Sequence, residues 1–355
     1  MTSPLLEPLA IGALTLPNRI IMAPLTRKRA GSSRVPNAMM AAYYAQRAGA
    51  GLILSEATSV SQQGVGYPGT PGIWSEAQVA GWRGVTEAVH AAGGRMISQL
   101  WHVGRISDPE LLDGALPVAP SAIKPKGTVS MLRPKREFVV PRALETEEIP
   151  GIVADFKRGA ENAKKAGFDG VEVHGANGYL IDQFLQDSTN HRTDRYGGSV
   201  ENRARFLFEI VDAVVEVWGA DRVGIHLNTR GLDHDMGDGN PLAIFGHVAK
   251  EAARRKIAFI FVREKEGPGS LLGDIKRLFG GPVIANDTMS LEYGERLVRE
   301  GIADAFSFGK DYLATPDLAE RVAKGAAFNT PDPSTFYADG PEGYTDYPRL
   351  GSGAT

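Results

Sequence analysis

The stretch IVADFKRGAENAKKAGFDGVEVH (152–174) contains the unit that decides the fold. Its first part, Ile152–Ala166, carries apolar residues three and four positions apart, which is typical of a helix with one buried face. The pair Ala166-Gly167 then gives a helix stop signal. The last five residues, Gly170–His174, form a short β-branched run that favours a buried strand. The stretch therefore predicts a helix followed directly by a strand.

The same unit recurs along the chain. Eight short apolar runs alternate with longer segments of helical spacing such as Glu201–Val217, and the runs are Arg19–Pro24, Gly51–Ser55, Arg95–Leu100, Gly170–His174, Arg222–Leu227, Ile257–Val262, Pro282–Asn286 and Ala303–Gly309. Eight strand–helix units are the number that closes a barrel, so the predicted fold is α/β, a single (β/α)8 TIM barrel. A doubly wound open sheet is the alternative. That fold favours a glycine-rich phosphate turn after the first strand, and none follows Pro24.

Two segments exceed the minimal barrel unit. Residues 101–145 are a long connection after the third strand, and residues 326–355 are a polar tail with aromatic residues. Long ordered loops usually form lids or rims of functional sites. We therefore expect one domain over residues 1–355, with 101–145 as a capping loop and 326–355 as a C-terminal rim segment. The 42 glycines and 22 prolines fit many tight loops between regular elements.

Composition excludes several classes of site. The chain has no cysteine, which excludes disulfides, thiolate zinc sites, iron–sulfur clusters and a cysteine nucleophile. It has a net charge of −3 with dispersed Lys and Arg, so no nucleic-acid partner is expected. No run of about 18 apolar residues and no signal peptide are apparent, so we expect a cytoplasmic protein without a membrane partner.

The residues at the predicted strand ends narrow the chemistry further, since barrel enzymes place their active sites there. A glycosidase needs two facing carboxylates, yet the fourth and seventh strands end in His174 and Asn286. A metal site needs clustered His and acidic ligands, and none is expected here. What remains is a set of neutral donors with Gly309-Lys310 after the last strand, where barrels commonly bind phosphate. This pattern indicates a phosphorylated ligand, and FMN fits it.

Several long motifs then identify a family. The segments NRIIMAPLTRKRA (18–30), SQLWHVGRIS (98–107), AGFDGVEVHGANGYLIDQFLQDSTNHRTDRYGGSVENRARF (166–206) and EGYTDYP (342–348) resemble the Old Yellow Enzyme family. They are similar to its bacterial ene-reductases that act on N-ethylmaleimide, xenobiotics or nitrate esters. The resemblance implies a single FMN-binding (β/α)8 barrel, NADPH or NADH as hydride donor, small activated alkenes as substrates, and a monomer or homodimer.

The resemblance also implies roles for residues. The catalytic residues implied are His174, Asn177 and Tyr179. Aromatic residues implied to line the substrate pocket are Tyr67, Trp101 and Tyr337. The FMN contacts implied are Ala23, Pro24, Leu25, Thr26 at flavin C4=O, Ala57 behind the ring, Gln99 at the pyrimidine edge, His226, and the phosphate-binding Asn286, Gly309 and Lys310.

The mechanism implied is ping-pong. NAD(P)H gives a hydride to FMN N5 and leaves, and an α,β-unsaturated carbonyl or nitro compound then takes the same place. His174 and Asn177 donate hydrogen bonds to its oxygen while hydride arrives at Cβ. Tyr179 supplies the proton at Cα as a general acid.

Three departures fall on the FMN side of the site. His226 stands where the family usually has arginine, Lys310 replaces another arginine, and Asp287-Thr288 replaces a common Gly-Gly. A fixed guanidinium stabilises negative charge at all working pH values, whereas histidine titrates near neutrality. We therefore expect weaker FMN retention or a more pH-sensitive flavin potential. Two alternatives stay open: a barrel flavoprotein of other substrate class, such as a nitroreductase-like or dehydrogenating relative, and a flavin-binding protein with weak turnover.

Overall fold

A computed structural model describes residues 2–287 and 290–351. Eight parallel strands form its centre: β1 (Ile20–Met22), β2 (Leu52–Leu54), β3 (Met96–Trp101), β4 (Val171–Gly175), β5 (Val223–Asn228), β6 (Phe259–Arg263), β7 (Val283–Asn286) and β8 (Ala305–Phe308). Each strand pairs with its neighbours in sequence, β8 pairs with β1, and β2 pairs with β3. Closure through β8 and β1 confirms the barrel, and the open doubly wound sheet is wrong.

Helices follow the strands and pack outside the barrel. They are α1 (Ala38–Ala45), α2 (Glu76–Ala91), α3 (Ile149–Lys165), α4 (Leu180–Leu185), α5 (Val200–Trp218), α6 (Pro241–Arg255), α7 (Leu272–Phe279), α8 (Leu291–Arg299), α9 (Lys310–Ala314) and α10 (Leu318–Lys324). Several begin with a side-chain cap, such as the Ser75 capping box of α2. Gly167 follows α3 at φ 83°, a left-handed conformation that favours glycine at a helix stop.

The predicted elements are present with small shifts at their ends. Helix α3 begins three residues earlier than Ile152, because Pro150 fits the first turn of a helix. Strand β6 was predicted to end at Val262, but it extends to Arg263. That residue pairs with Asn228 on one side and Asn286 on the other. The shift matters because it puts Arg263 at the mouth of the barrel.

The two long segments lie at that mouth. Val129, Leu132 and Phe138 of the 101–145 loop pack in one buried cluster with Tyr67 and Trp101. The tail returns to α1, where Tyr344 stacks on Tyr43 with ring centroids 4.1 Å apart. Within the described ranges, no helix is both long and apolar enough to cross a membrane.

Candidate active site

Two cavities adjoin at the C-terminal mouth of the barrel. The first has a volume of about 460 Å³ and the second about 330 Å³. Both are in the range of small-molecule sites. Asn177 and Arg263 line both cavities, so these two side chains stand at the boundary between them.

The first cavity contains most of the residues expected to bind FMN. Its lining includes Ala23, Pro24, Leu25, His226, Asn286, Gly309 and Lys310. Asp287 and Asp311 also line it, so two carboxylates lie in the cavity that holds Lys310. Thr288, the other departure from the family pattern, lies outside the described residues.

This cavity fits FMN by the chemistry of its walls. Pro24, Leu25 and Phe308 offer apolar surface for a planar ring, and Lys310 offers a cation at the end of the last strand, where barrels bind phosphate. His226 Nε2 is buried and has no partner within the described chain. A buried polar atom of this kind normally has a hydrogen-bond partner, and a bound ligand would supply one.

Gln99 lies below the cavity and contacts two ionisable residues. Its Nε2 donates to Glu172 Oε2 at 2.6 Å and to His226 Nδ1 at 3.1 Å. All three side chains are buried. Because Nδ1 accepts this hydrogen bond, the single N–H proton of the neutral His226 ring is on Nε2. His226 therefore presents a neutral N–H donor at the first cavity.

Burial decides the charge of these groups. Loss of hydration lowers the pKa of His226 to about 3 and raises the pKa of Glu172 to about 8. His226 Nδ1 lies 3.4 Å from Glu172 Oε2, a distance at which an ion pair could form. The two shifts instead leave both groups neutral near pH 7. Desolvation disfavours the charged form of both residues, so their proximity does not produce an ion pair.

The orientation of Asn177 is fixed by its neighbours. Its Oδ1 accepts from Arg263 Nη1 at 2.8 Å and from Asn228 Nδ2 at 3.1 Å. Its carbonyl oxygen contacts His234 Nδ1 at 2.8 Å. With Oδ1 occupied twice, the Asn177 NH2 group is left to donate to a ligand. The backbone of Asn177 is left-handed, at φ 59°, which asparagine tolerates well.

His174 contacts a lining residue of each cavity and lies at the same level of the barrel as His226. The two rings are 5.0 Å apart and pair in register across β4 and β5. The His174 ring also contacts Tyr179 at 5.3 Å. Burial, followed by the charges of His226 and Arg263, lowers its pKa well below the usual value, so His174 is a neutral donor.

Tyr179 and Tyr67 line the second cavity and share a hydrogen bond of 3.0 Å between their hydroxyls. Burial raises the pKa of Tyr179 to about 12, while the hydrogen bond with Tyr67 opposes the rise. Trp101 is fully buried behind both rings and contacts Tyr179 edge-on at 5.1 Å. Ala57 lies in the same cluster, so it and Trp101 support the pocket wall from behind.

The remaining wall of the second cavity comes from loops. Thr26 and Tyr337 line it together with Ser130 and Met131 of the 101–145 loop. Thr26 thus opens to the second cavity, while Ala23, Pro24 and Leu25 of the same strand end line the first. Tyr337 is 47% exposed at the rim.

Arg27 and Arg29 hold the tail that carries Tyr337. Both guanidinium groups donate to the carbonyl of Phe336, at 3.2 and 2.7 Å. Arg29 also reaches Thr335 O at 3.0 Å. The loop that begins with Thr26 therefore fixes the position of the rim.

Two groups in the site were not assigned a role from the sequence. Glu172 is hidden in the strand pattern Val171–His174, although an acidic residue inside an apolar strand is itself a signal of a buried polar contact. His234 lines the second cavity from the loop after β5. Nothing local in the sequence marks His234 as a pocket residue.

Comparison with known proteins identifies the chain. A family model described as the NADH:flavin oxidoreductase / NADH oxidase family matches residues 4–329. The solved Old Yellow Enzyme homologue from Zymomonas mobilis superposes with a TM-score of 0.95 at 44% identity, covering 98% of this chain and 99% of that one. The chain belongs to the Old Yellow Enzyme family.

Other members of the Old Yellow Enzyme family are similarly close. Morphinone reductase, solved in complex with tetrahydroNAD, has a TM-score of 0.95 and 49% identity over 99% of both chains. A probable flavin mononucleotide-dependent alkene reductase from Leishmania infantum is 42% identical over 98% of this chain and 97% of its own length. The protein is accordingly an NAD(P)H-dependent oxidoreductase with FMN as its cofactor.

Proposed function

We propose that this Old Yellow Enzyme reduces the C=C bond of alkenes activated by a carbonyl or nitro group. The observation that carries the proposal is the convergence of three donors at one boundary. Asn177 lines both cavities, His174 contacts His226 of the first cavity, and Tyr179 lines the second. FMN, when bound, supplies the hydride, which it obtains from NAD(P)H.

His174 and Asn177 suit the activating oxygen. Negative charge develops on that oxygen as hydride arrives at Cβ, and fixed neutral donors in a buried site stabilise it. The Asn177 amide is preoriented by two hydrogen bonds to its oxygen. The low pKa of His174 keeps its ring neutral over the working pH range, so its donor strength does not change with pH.

Tyr179 suits the role of proton donor. Its pKa of about 12 keeps the phenol protonated at neutral pH. Its hydroxyl is held by a hydrogen bond with the hydroxyl of Tyr67. A general acid held in this way contributes about 10²–10⁴-fold to a rate.

The residues of the first cavity would hold FMN. Lys310 and Asn286 fit the phosphate end, and His226 Nε2 fits an acceptor on the ring. Gln99 uses its Nε2 on Glu172 and His226, which leaves its Oε1 to accept from the ring. Thr26, at the strand end beside the second cavity, would offer a hydroxyl donor to the ring.

A flavin-binding protein with weak turnover is the second candidate. It is favoured by the neutral His226 and by Asp287, which lines the same cavity as Lys310. A carboxylate near the phosphate repels it and so lowers the affinity of the cavity for FMN. This candidate predicts partial flavin content and slow reduction.

One experiment separates these readings. Purified protein is loaded with FMN, mixed anaerobically with NADPH or NADH, and followed by flavin absorbance. We expect the colour to bleach and then to return on addition of 2-cyclohexenone, with cyclohexanone as product. A flavin that bleaches but is not reoxidised by enone, maleimide or nitroalkene contradicts alkene reduction. A flavin that does not bleach supports the weak-turnover reading.

A further inference from the structure

Arg263 ends β6 at the boundary between the two cavities and lines both of them. Its side chain is 31% exposed, so the guanidinium is partly buried but reaches open space. Among the described residues, Asp233 is the other charged residue in the lining of the second cavity.

The hydrogen bonds of Arg263 use only one of its nitrogens. Nη1 donates to Asn177 Oδ1 at 2.8 Å and to Asp233 Oδ2 at 3.1 Å. Nε and Nη2 make no hydrogen bond to any residue in the ranges 2–287 and 290–351. That free edge carries two parallel N–H groups, the geometry that matches both oxygens of a carboxylate.

We propose that Arg263 is a specificity-determining residue that selects acceptors bearing a carboxylate in addition to the activating carbonyl. The activating oxygen binds at Asn177 and His174, and the carboxylate binds at the free edge of Arg263 beside them. The inference rests on the proposed alkene reduction and leaves its chemistry unchanged, since the C=C bond still takes up one hydride and one proton.

Asp233 limits the preference for an anion. Its carboxylate contacts Arg263 through Nη1 alone, and its side chain is 57% exposed. An exposed pair of this kind contributes little, so a ligand can compete for the guanidinium. Removing the Asp233 charge should strengthen binding of an anionic acceptor, which is opposite in sign to the effect of removing Arg263.

The test compares two acceptors that differ in one charge, (E)-4-oxopent-2-enoate and its methyl ester, with flavin-loaded enzyme. Because hydrogen bonds to charged groups are among the strong ones, we expect Arg263→Gln to lower kcat/KM for the acid roughly 10- to 100-fold more than for the ester. Arg263→Lys should retain part of the preference. Asp233→Asn should raise the ratio of kcat/KM for the acid to kcat/KM for the ester.

Arg230 supplies the matched control. It follows β5, is exposed, and donates to Lys265 O outside both cavities. Arg230→Gln removes the same charge and should leave the ratio unchanged. If Arg263→Gln lowers kcat/KM equally for the acid and the ester, Arg263 only orients Asn177 and the proposal is overturned.

A binding measurement removes the dependence on turnover. The saturated acid 4-oxopentanoate and its methyl ester are titrated against the oxidised enzyme, with the flavin spectrum as readout. We expect the acid to bind more tightly than the ester in the wild-type enzyme and to lose that advantage in Arg263→Gln. Equal affinities in the wild-type enzyme contradict the proposal. Failure of alkene reduction itself is distinguishable, because then neither the ester nor 2-cyclohexenone is reduced.

Discussion

His226 and Glu172 face each other inside the barrel without forming an ion pair. His226 Nδ1 lies 3.4 Å from Glu172 Oε2, yet burial lowers the pKa of the histidine to about 3 and raises that of the carboxyl to about 8. Gln99 donates a hydrogen bond to one atom of each group, Glu172 Oε2 and His226 Nδ1. The layer below the flavin cavity is therefore neutral.

The raised pKa of Glu172 predicts a pH-dependent stability. Between its ordinary pKa of 4.5 and about 8, the folded protein binds the proton more tightly than the unfolded chain. The free energy of unfolding therefore falls as pH rises through this window. Glu172→Gln keeps an acceptor for Gln99 but cannot ionise. We expect the variant to gain at least about 1 kcal/mol over the wild type between pH 5.5 and 8.5, measured by urea unfolding.

Glu161→Gln is the control for that prediction. Glu161 is exposed on α3, and its replacement should leave the pH dependence of the wild type unchanged. Parallel stability curves for Glu172→Gln and the wild type would show that Glu172 is ionised in the folded protein.

His226→Arg should raise the flavin midpoint potential. A neutral imidazole stabilises negative charge on the reduced ring less than a guanidinium does. A hydrogen bond to a charged group is worth about 1.5–3 kcal/mol, or roughly 30–65 mV for a two-electron couple. Potentiometric titration measures the shift, and His191→Arg on an exposed loop is the control. An unchanged potential together with unchanged FMN affinity would mean that His226 does not face the ring.

Tyr67→Phe should slow alkene reduction but not flavin reduction. The Tyr67 hydroxyl bonds to that of Tyr179 at 3.0 Å and lowers its pKa, so its loss makes Tyr179 a weaker and less ordered acid. A neutral hydrogen bond is worth about 0.5–1.5 kcal/mol, so we expect the reoxidation step to slow roughly 2- to 10-fold. Tyr179→Phe should slow it far more, by about 10²–10⁴-fold.

Stopped-flow spectroscopy separates the two half-reactions of these variants. Reduction by NADPH or NADH needs no proton donor, so its rate should match the wild type and serves as an internal control. Equal losses in both half-reactions would indicate a damaged pocket instead of a weakened acid.

The sequence was sufficient for the barrel because its signals are local. The β-branched run at Val171–Val173 and the glycine stop after α3 each depend on a few neighbouring residues. The residues at which strands end could not be predicted as well from local signals. Arg263 belongs to β6 because it pairs with Asn228 and Asn286, which are distant in sequence.

The site required three-dimensional information for the same reason. The resemblance to the family named His226 and Asn177, but it did not indicate that burial leaves His226 and Glu172 uncharged or that Arg263 fixes Asn177. Both effects depend on contacts between different strands and on burial. Neither can be read from the spacing of residues along one strand.

The destination of a labelled hydride tests the proposed alkene reduction. The flavin-loaded enzyme is given NADPH or NADH with deuterium in the transferred C4 position and 2-cyclohexenone as acceptor, in ordinary water. We expect cyclohexanone with deuterium at Cβ and an unlabelled hydrogen at Cα. In a second reaction, run in D2O with unlabelled donor, we expect deuterium at Cα instead. A product without deuterium at Cβ in the first reaction, or no cyclohexanone at all while the flavin is reduced, would contradict the proposed alkene reduction.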